Sequence, residues 1–429
     1  MKKDVVYVAL LGLGTVGTGV YKVMREQEPE MAKKLNTVLK IKKILVRNLE
    51  KAAQKVEDPA VLTNDWQEII KDPQIKIVIE VMGGLEPAGT YIKEALLAGK
   101  NVVTANKDLM AVRGGELLDA AAGTSTDLLF EASVAGGIPI IAPLKHSLSA
   151  NKISSVMGIV NGTTNFILTK MTQEGMDFKE ALAIATELGY AEADPTADVE
   201  GYDAGRKVAI MASIAFNSRV TFQDVYTEGI TNITSKDISY AKELGWTIKL
   251  LGVAKNTEEG VEARVHPTLL PMDHPLATVG GSYNAVFVHG DAVDDVMFYG
   301  RGAGELPTAS AVMGDVFEVA KNIVNDSTGA THCGCYKHLP IKKIDDIMSR
   351  YFLRMEVEDK PGALATVASV LGNNSVSIKQ VVQKSKVGDH AEIVVITDKV
   401  RERHLKDAIL TFREMSVIKT EPVLIRVYS

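Results

Sequence analysis

The segment that most constrains the fold lies near the start of the chain. Residues 5–11 (VVYVALL) form an apolar run rich in β-branched side chains, which is typical of a strand buried on both faces of a parallel sheet. Gly12, Gly14 and Gly17 follow, and a helical pattern then continues to about residue 28. This strand–turn–helix order predicts a dinucleotide-binding α/β unit, with a plain tight turn as the alternative.

Each glycine of this turn has its own predicted role. Gly12 permits the tight turn, Gly14 lets the backbone approach a pyrophosphate, and Gly17 allows close packing of helix on strand. Thr15 and Val16 start the helix, where N–H groups and the helix dipole favour phosphate. We therefore expect all five residues to contact the cofactor.

The whole chain indicates three successive folding patterns. Strands and helices alternate to about residue 122, which predicts a Rossmann-type doubly wound parallel sheet. Helices and several β-rich segments then predict an α+β domain for substrate binding and dimerisation. Beyond about residue 350 the order is β-α-β-β-α-β, the ferredoxin-like arrangement. The segment Asp359-Lys-Pro-Gly362-Ala-Leu364 there resembles ACT domains, which often bind amino acids, and an oligomerisation module is the alternative.

Composition limits the classes of function that this chain can have. The formal net charge is −6, without the clustered Lys and Arg of a nucleic-acid partner. No apolar run approaches the roughly 18–20 residues that span a bilayer. With two cysteines and no export signal, we expect a cytoplasmic protein.

The most informative chemical motif is the stretch 185–207. It gathers carboxylates and a lysine around a Gly/Pro-rich turn before a helix, which suits a small polar substrate because such side chains are rarely buried unpaired. A solvated acidic loop is the alternative. That alternative does not explain the i, i+4 spacing of Asp203 and Lys207, which places both on one helix face.

This stretch resembles the signature of homoserine dehydrogenases. The matching positions are Ala185, Gly189, Ala191, Asp194, Pro195, Asp198, Gly201, Asp203 and Lys207. The resemblance implies NAD(P)-dependent interconversion of L-aspartate 4-semialdehyde and L-homoserine in threonine, methionine and isoleucine biosynthesis. It also implies a homodimer or homotetramer. A different amino-acid dehydrogenase and a non-catalytic nucleotide sensor are the alternatives.

The resemblance also implies residue roles. Lys207 and Lys107 are candidates for proton transfer and substrate binding, and the residues themselves do not choose between them. Asp203 would position Lys207, while Glu192 and Asp198 would bind the substrate ammonium or orient a lysine. Lys107 follows Thr104 at the end of a predicted strand, where open α/β sheets bind ligands, so both are expected near the cofactor.

Cofactor preference depends on the end of the second predicted strand. Arg47 stands there, where an acidic residue would bind the ribose hydroxyls of NAD. A guanidinium can bind a 2′-phosphate bidentately, so NADP(H) is favoured and NAD(H) remains possible, with a solvated arginine as the alternative. Further family matches are expected to contact cofactor or substrate: Gly302, Gly304 and Glu305.

Three other segments of the chain have predicted or open roles. By resemblance, Glu131 and the carbonyls of Val134, Gly136 and Ile138 would hold a monovalent cation, sodium, through oxygen ligands. The ACT-like tail would bind an amino-acid effector, threonine, the pathway end product. The run His332-Cys333-Gly-Cys335 leaves metal, redox pairing and plain linker open, although zinc sites usually space cysteines by two to four residues.

These observations predict a division of the chain into domains. The expected parts are a dinucleotide-binding domain over 1–130 with 305–327 returning to it, a substrate and dimerisation domain over 131–304, a linker over 328–349 and a regulatory ACT domain over 350–429.

Overall fold

The structure is a computed structural model that describes residues 5–330, 333–387 and 390–428. Its strands are β1 (Val5–Leu11), β2 (Val38–Leu45), β3 (Leu62–Thr63), β4 (Ile75–Glu80), β5 (Asn101–Thr104), β6 (Leu128–Leu129), β7 (Ile153–Ile159), β8 (Tyr226–Thr227), β9 (Trp246–Thr257), β10 (Gly260–Pro271), β11 (Tyr283–Gly290), β12 (Asp294–Arg301), β13 (Met348–Glu358), β14 (Ile378–Val387), β15 (His390–Thr397), β16 (Val400–Arg401) and β17 (Val423–Val427). Its helices are α1 (Thr15–Glu26), α2 (Glu28–Leu35), α3 (Leu49–Ala53), α4 (Gln67–Ile70), α5 (Ala88–Leu97), α6 (Lys107–Thr124), α7 (Ile141–Lys145), α8 (Gly162–Glu174), α9 (Phe178–Glu187), α10 (Thr196–Val199), α11 (Tyr202–Phe216), α12 (Ser235–Glu243), α13 (Glu305–Val324), α14 (Ala363–Asn373) and α15 (Glu402–Arg413).

The chain divides into two compact units. The first comprises Met1–Gly162, Asp203–Val225 and Ser282–Leu339. The second comprises Thr163–Tyr202, Tyr226–Gly281 and Pro340–Ser429. Within the described residues, no helix is long and apolar enough to cross a membrane.

The main sheet of the first unit has the order β3-β2-β1-β4-β5-β6, and its strands pair in parallel. Its central strands are buried through side chains such as Val8, Leu10, Ile77 and Ile79. The strand order reverses between β1 and β4, which creates the crevice where such sheets bind ligands. The predicted doubly wound parallel sheet is confirmed.

Helix α13 packs against α1 in the same unit. Ala309, Val312 and Val316 belong to the core cluster that also contains residues of β1. A Cβ at Gly19 would lie 2.6 Å from the Glu305 carbonyl oxygen, so only glycine allows this approach. The unit also contains an antiparallel β7-β11-β12 arrangement.

The second unit has strands in the order β9-β10-β17-β13-β15-β14. The segments β13, α14, β14, β15, α15 and β17 form the predicted ferredoxin-like arrangement, with strand order β17-β13-β15-β14. Its core includes Tyr351, Leu353, Val367, Leu405 and Phe412. Strand β17 also pairs in parallel with β10, so the tail continues a sheet formed by earlier residues of this unit.

Candidate active site

The turn between β1 and α1 has the geometry that its glycines predict. Gly12 has a φ of +99°, a region that L side chains rarely adopt. A Cβ at Gly17 would lie 2.1 Å from the Gly12 carbonyl oxygen, which requires glycine for close packing. A Cβ at Gly14 would meet nothing within 4 Å, so its backbone faces open space at the start of α1. Because α1 begins at Thr15, the N–H groups of its first turn are available to a phosphate.

A cleft of about 790 Å³ adjoins this turn. Gly12 and Gly14 line one part, and Arg47, Lys51 and Lys55 line another. The Lys55 ammonium donates to the Leu13 carbonyl oxygen at 3.0 Å, while the Arg47 side chain is exposed. The cleft therefore combines a phosphate-binding turn with a cationic wall.

A buried polar network connects the ends of β4 and β5. The Thr104 hydroxyl donates to Glu80 Oε2 at 2.6 Å, and Glu80 Oε1 accepts from the backbone N–H of Met82 at 2.8 Å. Thr104 also accepts from the Asn106 N–H at 3.0 Å, and Asn106 caps α6 by accepting from the Leu109 N–H at 3.1 Å. This network fixes the start of α6, where Lys107 is the first residue.

Lys107, Asp203 and Lys207 lie together in the first unit. The Lys207 ammonium donates to Asp203 Oδ2 at 2.7 Å and to the Val160 carbonyl oxygen at 2.7 Å. Lys107 forms an ion pair with the other carboxylate oxygen, Oδ1. Asn161 donates from its side-chain amide to Asp203 Oδ2 at 2.9 Å. Three separate elements, α6, α11 and the end of β7, thus converge on one carboxylate.

Asp203 is held in its charged form. Burial by itself would raise the pKa of this carboxyl, but the charges and hydrogen bonds of Lys207 and Lys107 lower it below its usual range. The Lys207 side chain is 10% exposed and that of Lys107 is 37% exposed. An ionised carboxylate between two ammonium groups can hold both in place for acid–base chemistry.

The residues that support this cluster were not predicted from the sequence. Asp108 pairs with Arg206 at 2.8 Å, which ties α6 to α11 a second time. No role for the side chain of Asn161 or Glu80 was predicted from the sequence. In the sequence, Asp108 follows Lys107 and Arg206 precedes Lys207, which could have drawn attention to both residues. Nothing in the sequence indicates that Asp108 and Arg206 pair with each other.

Glu192 and Asp198 belong to the second unit. Glu192 is exposed in the turn after α9, and Asp198 lies in the short helix α10. Asp194 begins this segment by accepting from the Thr196 N–H at 3.1 Å, an Asx turn.

The segment expected to hold a cation packs against the start of α13. Ala135 and Gly136 both have φ of 56°, and the Gly137 N–H donates to the Arg301 carbonyl oxygen at 3.1 Å. Glu131 is buried, and its carboxylate accepts from the N–H groups of Ile140, Ile141 and Ala142 at 2.6–2.8 Å. Among the backbone hydrogen bonds of the described residues, none ends on the carbonyl oxygens of Val134, Gly136 or Ile138. The Glu131 carboxylate therefore caps the N-terminus of α7.

The loop before α13 is tightly enclosed. A Cβ at Gly302 would lie 1.4 Å from the Asn284 side-chain oxygen, and Gly304 has a φ of +129°. Glu305, the first residue of α13, forms an ion pair with Lys22 of α1 at 2.6 Å.

Cys333 and Cys335 line a separate cavity of about 460 Å³ in the first unit, together with Lys145 and Arg219. The hydrogen bond with Cys335 lowers the pKa of the Cys333 thiol below its usual value. Among the described residues, the only group with metal-ligand geometry is His289, Asp294 and Asp295, which does not include these cysteines. His332 lies outside the described residues.

The first unit combines a dinucleotide-binding turn at a sheet's switch point with a cluster of acid–base side chains, which defines the class as dinucleotide-dependent oxidoreductases. Three family models match the chain: "Homoserine dehydrogenase, NAD binding domain" over residues 12–131, "Homoserine dehydrogenase" over 139–317 and "ACT domain" over 351–414. The chain belongs to the homoserine dehydrogenase family. It interconverts L-aspartate 4-semialdehyde and L-homoserine, and the predicted function is confirmed.

Individual relatives of this chain carry the same family name. A homoserine dehydrogenase of Corynebacterium glutamicum is 47% identical over 422 residues, covering 97% of this chain and 93% of the relative. A crystal structure of a homoserine dehydrogenase from Thiobacillus denitrificans has a TM-score of 0.95 at 40% identity, covering 100% of this chain and 99% of that one. A hyperthermophilic archaeal homoserine dehydrogenase in complex with NADPH has a TM-score of 0.64 at 26% identity, covering 73% and 97%.

Proposed function

We propose that the lysine–carboxylate cluster of the first unit carries the proton chemistry of this reaction, with NADP(H) as the preferred cofactor. The observation that supports the proposal is the convergence of Lys107 and Lys207 on the single buried carboxylate of Asp203. Asp203 holds the two ammonium groups in place, and one of them delivers a proton to the substrate carbonyl oxygen as that oxygen becomes an alcohol.

A bound nicotinamide would supply the hydride for reduction of the aldehyde and would accept it when the alcohol is oxidised. Gly12, Gly14, Thr15, Val16 and Gly17 would hold the pyrophosphate at the start of α1. Thr104, Lys107, Gly302, Gly304 and Glu305 are the further residues that we assign to the cofactor. Glu192 and Asp198 are assigned to the substrate on family resemblance, since carboxylates pair with an ammonium group.

A reduction assay tests the cluster directly. Oxidation of homoserine is followed as cofactor absorbance at 340 nm with the wild-type chain and with Asp203→Asn. We expect the variant to lose most turnover, because the amide no longer balances two ammonium groups, while NADPH binding measured by fluorescence is retained. Normal turnover by Asp203→Asn would remove the cluster from the mechanism.

The cationic wall supports the preference for NADP(H). Arg47 lines the cleft beside the glycine turn, and the archaeal relative was solved with NADPH. We expect Arg47→Gln to raise the KM for NADP about 10- to 100-fold, as for loss of a charge-assisted hydrogen bond, and to leave the KM for NAD within about twofold. Lys93→Gln on α5, which removes a cation that pairs with Glu116 and does not line this cleft, is the matched control. Equal changes with both cofactors would contradict the role of Arg47.

A monovalent cation is proposed at the carbonyls of Val134, Gly136 and Ile138, with Glu131 beside them. Bound there, sodium would hold this loop against the start of α13 through oxygen ligands. Turnover in sodium chloride should exceed turnover in choline chloride at equal ionic strength. Equal rates in the two salts would contradict the cation.

The remaining proposals concern the whole protein. We assign residues 1–130 and 305–327 to cofactor binding, 131–304 to substrate binding and dimerisation, 328–349 to a linker and 350–429 to regulation by an amino acid, threonine. A homodimer or homotetramer in the cytoplasm is proposed on the family resemblance. Sedimentation velocity measures the mass of the assembly and therefore tests the proposed number of subunits.

A further inference from the structure

A buried arginine in the second unit contacts both the ferredoxin-like tail and an earlier loop. Arg426 lies on β17 and is 2% exposed. Its Nη2 and Nε donate to the two carboxylate oxygens of Glu402 at 2.6 and 2.9 Å, and its Nη1 donates to Glu228 Oε2 at 2.6 Å. Tyr351 also donates to Glu402, at 3.1 Å. The guanidinium therefore has a bidentate partner within the tail and a second partner outside it.

Glu228 is fixed by both its side chain and its backbone. Tyr226 donates from its hydroxyl to Glu228 Oε2 at 3.0 Å, and the Arg426 guanidinium lies 5.1 Å from the centre of the Tyr226 ring. The Glu228 N–H donates to the Val265 carbonyl oxygen of β10 at 2.8 Å. The position of Glu228 thus depends on β10 and on the arginine of β17.

The residues after Glu228 pack directly on the segment that carries Asp198. The Ile230 N–H donates to the Val199 carbonyl oxygen at 2.8 Å. A Cβ at Gly229 would lie 2.1 Å from that same oxygen, so the two backbones are in contact with no space between them. Gly201, with a φ of +81°, faces the Glu228 carbonyl oxygen and ends the segment.

We propose that Arg426 is a positioning residue for substrate binding: paired with Glu402 of the tail and with Glu228, it holds residues 228–230 against Val199–Gly201 and so places Asp198. The inference rests on the proposed role of Asp198 as a substrate ligand. It gives the tail a physical route to the substrate segment within one unit, because a shift of Glu402 or β17 is transmitted to Glu228 through one rigid guanidinium.

Stability alone does not account for this arrangement. Replacing a buried ion pair by apolar side chains of similar volume is often neutral or stabilising. A positioning role requires arginine in particular, because the planar guanidinium fixes the direction of both carboxylates and a lysine ammonium does not. The variants below separate the two roles.

The second unit offers a matched control for Arg426. Arg354 is another buried arginine on a strand of the tail, and it pairs with Asp237 at 2.7 Å and Glu392 at 3.2 Å. Asp237 lies on α12, so this arginine also joins the tail to an earlier element. Its ion pairs do not reach residues 228–230.

The experiment measures the KM for homoserine, kcat, the Kd for NADPH and the Tm of the full-length chain. We expect Arg426→Met to raise the KM for homoserine about 10- to 100-fold, as a displacement of about 1 Å can do, with the Kd for NADPH within about threefold. Arg354→Met should lower the Tm comparably and leave that KM within about twofold. Arg426→Lys should resemble Arg426→Met, because it keeps the charge and loses the fork.

Glu228→Gln covers the case in which Arg426→Met does not fold, since Glu228 is one-third exposed. It should raise the KM for homoserine in the same direction. An unchanged KM in the folded Arg426 and Glu228 variants, or an equal rise in Arg354→Met, would overturn the proposal. Asp198→Ala separates the substrate role of Asp198 from the positioning role of Arg426. A normal KM for homoserine in Asp198→Ala would contradict the substrate role of Asp198. A raised KM in Asp198→Ala, with a normal KM in the Arg426 and Glu228 variants, would contradict only the role of Arg426.

Discussion

Residues that are distant in sequence share one carboxylate in the first unit. The i, i+4 spacing of Asp203 and Lys207 predicts that both lie on one face of α11, and their 2.7 Å ion pair agrees with that geometry. Lys107 reaches the same carboxylate from α6, a contact that no spacing in the chain reveals. Family resemblance named all three residues, and the tertiary fold shows that both lysines meet the carboxylate of Asp203.

The two lysines can be separated by mutation. We expect Lys207→Ala and Lys107→Ala each to lower kcat, and the proton donor to lose about 10²–10⁴-fold, the usual contribution of general acid–base catalysis. Loss of the lysine that does not donate the proton should affect the KM for homoserine more than it affects kcat. Steady-state kinetics with NADPH binding as a control measures both, and Lys93→Ala provides the surface comparison. Near-normal kcat in both variants would exclude a lysine mechanism.

Lys249 gives a pH-dependent prediction at the same scale. Its ammonium is buried in the second unit and donates to Asn165 Oδ1 at 3.0 Å and the Val279 carbonyl oxygen at 2.6 Å. Burial lowers the pKa of this side chain to about 8, whereas an unfolded lysine has a pKa of about 10.4. Between these values the unfolded state binds more protons, so the free energy of unfolding rises with pH.

The measurement is urea unfolding of the wild-type chain and Lys249→Met from pH 7 to pH 10. The wild type should gain up to about 3 kcal/mol relative to the variant across this window, and nothing below pH 8, where both states are protonated. Lys242→Met, on the exposed side of α12, should track the wild type. A constant difference between wild type and Lys249→Met would show that Lys249 does not titrate with folding.

At the scale of elements, the glycines of the first turn have separable structural duties. Gly17 is needed by the packing of α1 on β1, because its Cβ would meet backbone at 2.1 Å. Gly14 meets nothing within 4 Å and has a φ of −75°, which alanine adopts freely. The same motif therefore contains one residue required for packing and one that leaves room for a ligand.

Substitution of each glycine by alanine distinguishes the packing role from the ligand-binding role. Gly17→Ala should lower the free energy of unfolding by about 1–3 kcal/mol through overpacking. Gly14→Ala should keep the wild-type stability within about 0.5 kcal/mol, typical of a substitution that meets no neighbour, and weaken NADPH binding because its methyl group occupies the approach of the pyrophosphate. Urea unfolding and fluorescence titration measure the two effects. The reverse pattern would contradict the roles given to this turn.

Element boundaries show where sequence reasoning was wrong. The sequence pattern predicted a helix over residues 115–122, whereas α6 begins at Lys107. The Asn106 cap starts the helix, and a Cβ at Gly115 would lie 3.0 Å from the Arg219 guanidinium. Strand β12 was not predicted, because its alternating burial rests on pairing with β11 and not on an apolar sequence.

For the whole molecule, the tail is built into the second unit. Strand β17 pairs with β10, and Arg426 and Arg354 carry buried ion pairs to residues outside the tail. Removing the tail would expose the edge of β10 and leave Glu228 without its arginine. Regulation is therefore better tested by ligand binding to the full chain than by truncation.

We expect threonine to bind the full chain and to raise its Tm, since a ligand at 100 times its Kd stabilises the folded state by about 2.7 kcal/mol. If threonine also weakens homoserine binding, homoserine must weaken threonine binding by the same factor, because coupling is reciprocal. Thermal unfolding and calorimetry measure both, with D-threonine and valine as controls. Equal responses to threonine and valine would contradict a specific effector.

The sequence by itself determined the classes of structure and chemistry. An apolar run, three glycines and a helix start are local features, and they act through neighbouring backbone, so they predicted the dinucleotide-binding turn; the motif over residues 185–207 indicated the family. Tertiary structure alone decided which charges share a partner. Lys107 meets Asp203, Asp108 meets Arg206 and Arg426 meets Glu228, because ion pairs between distant segments depend on how strands and helices pack.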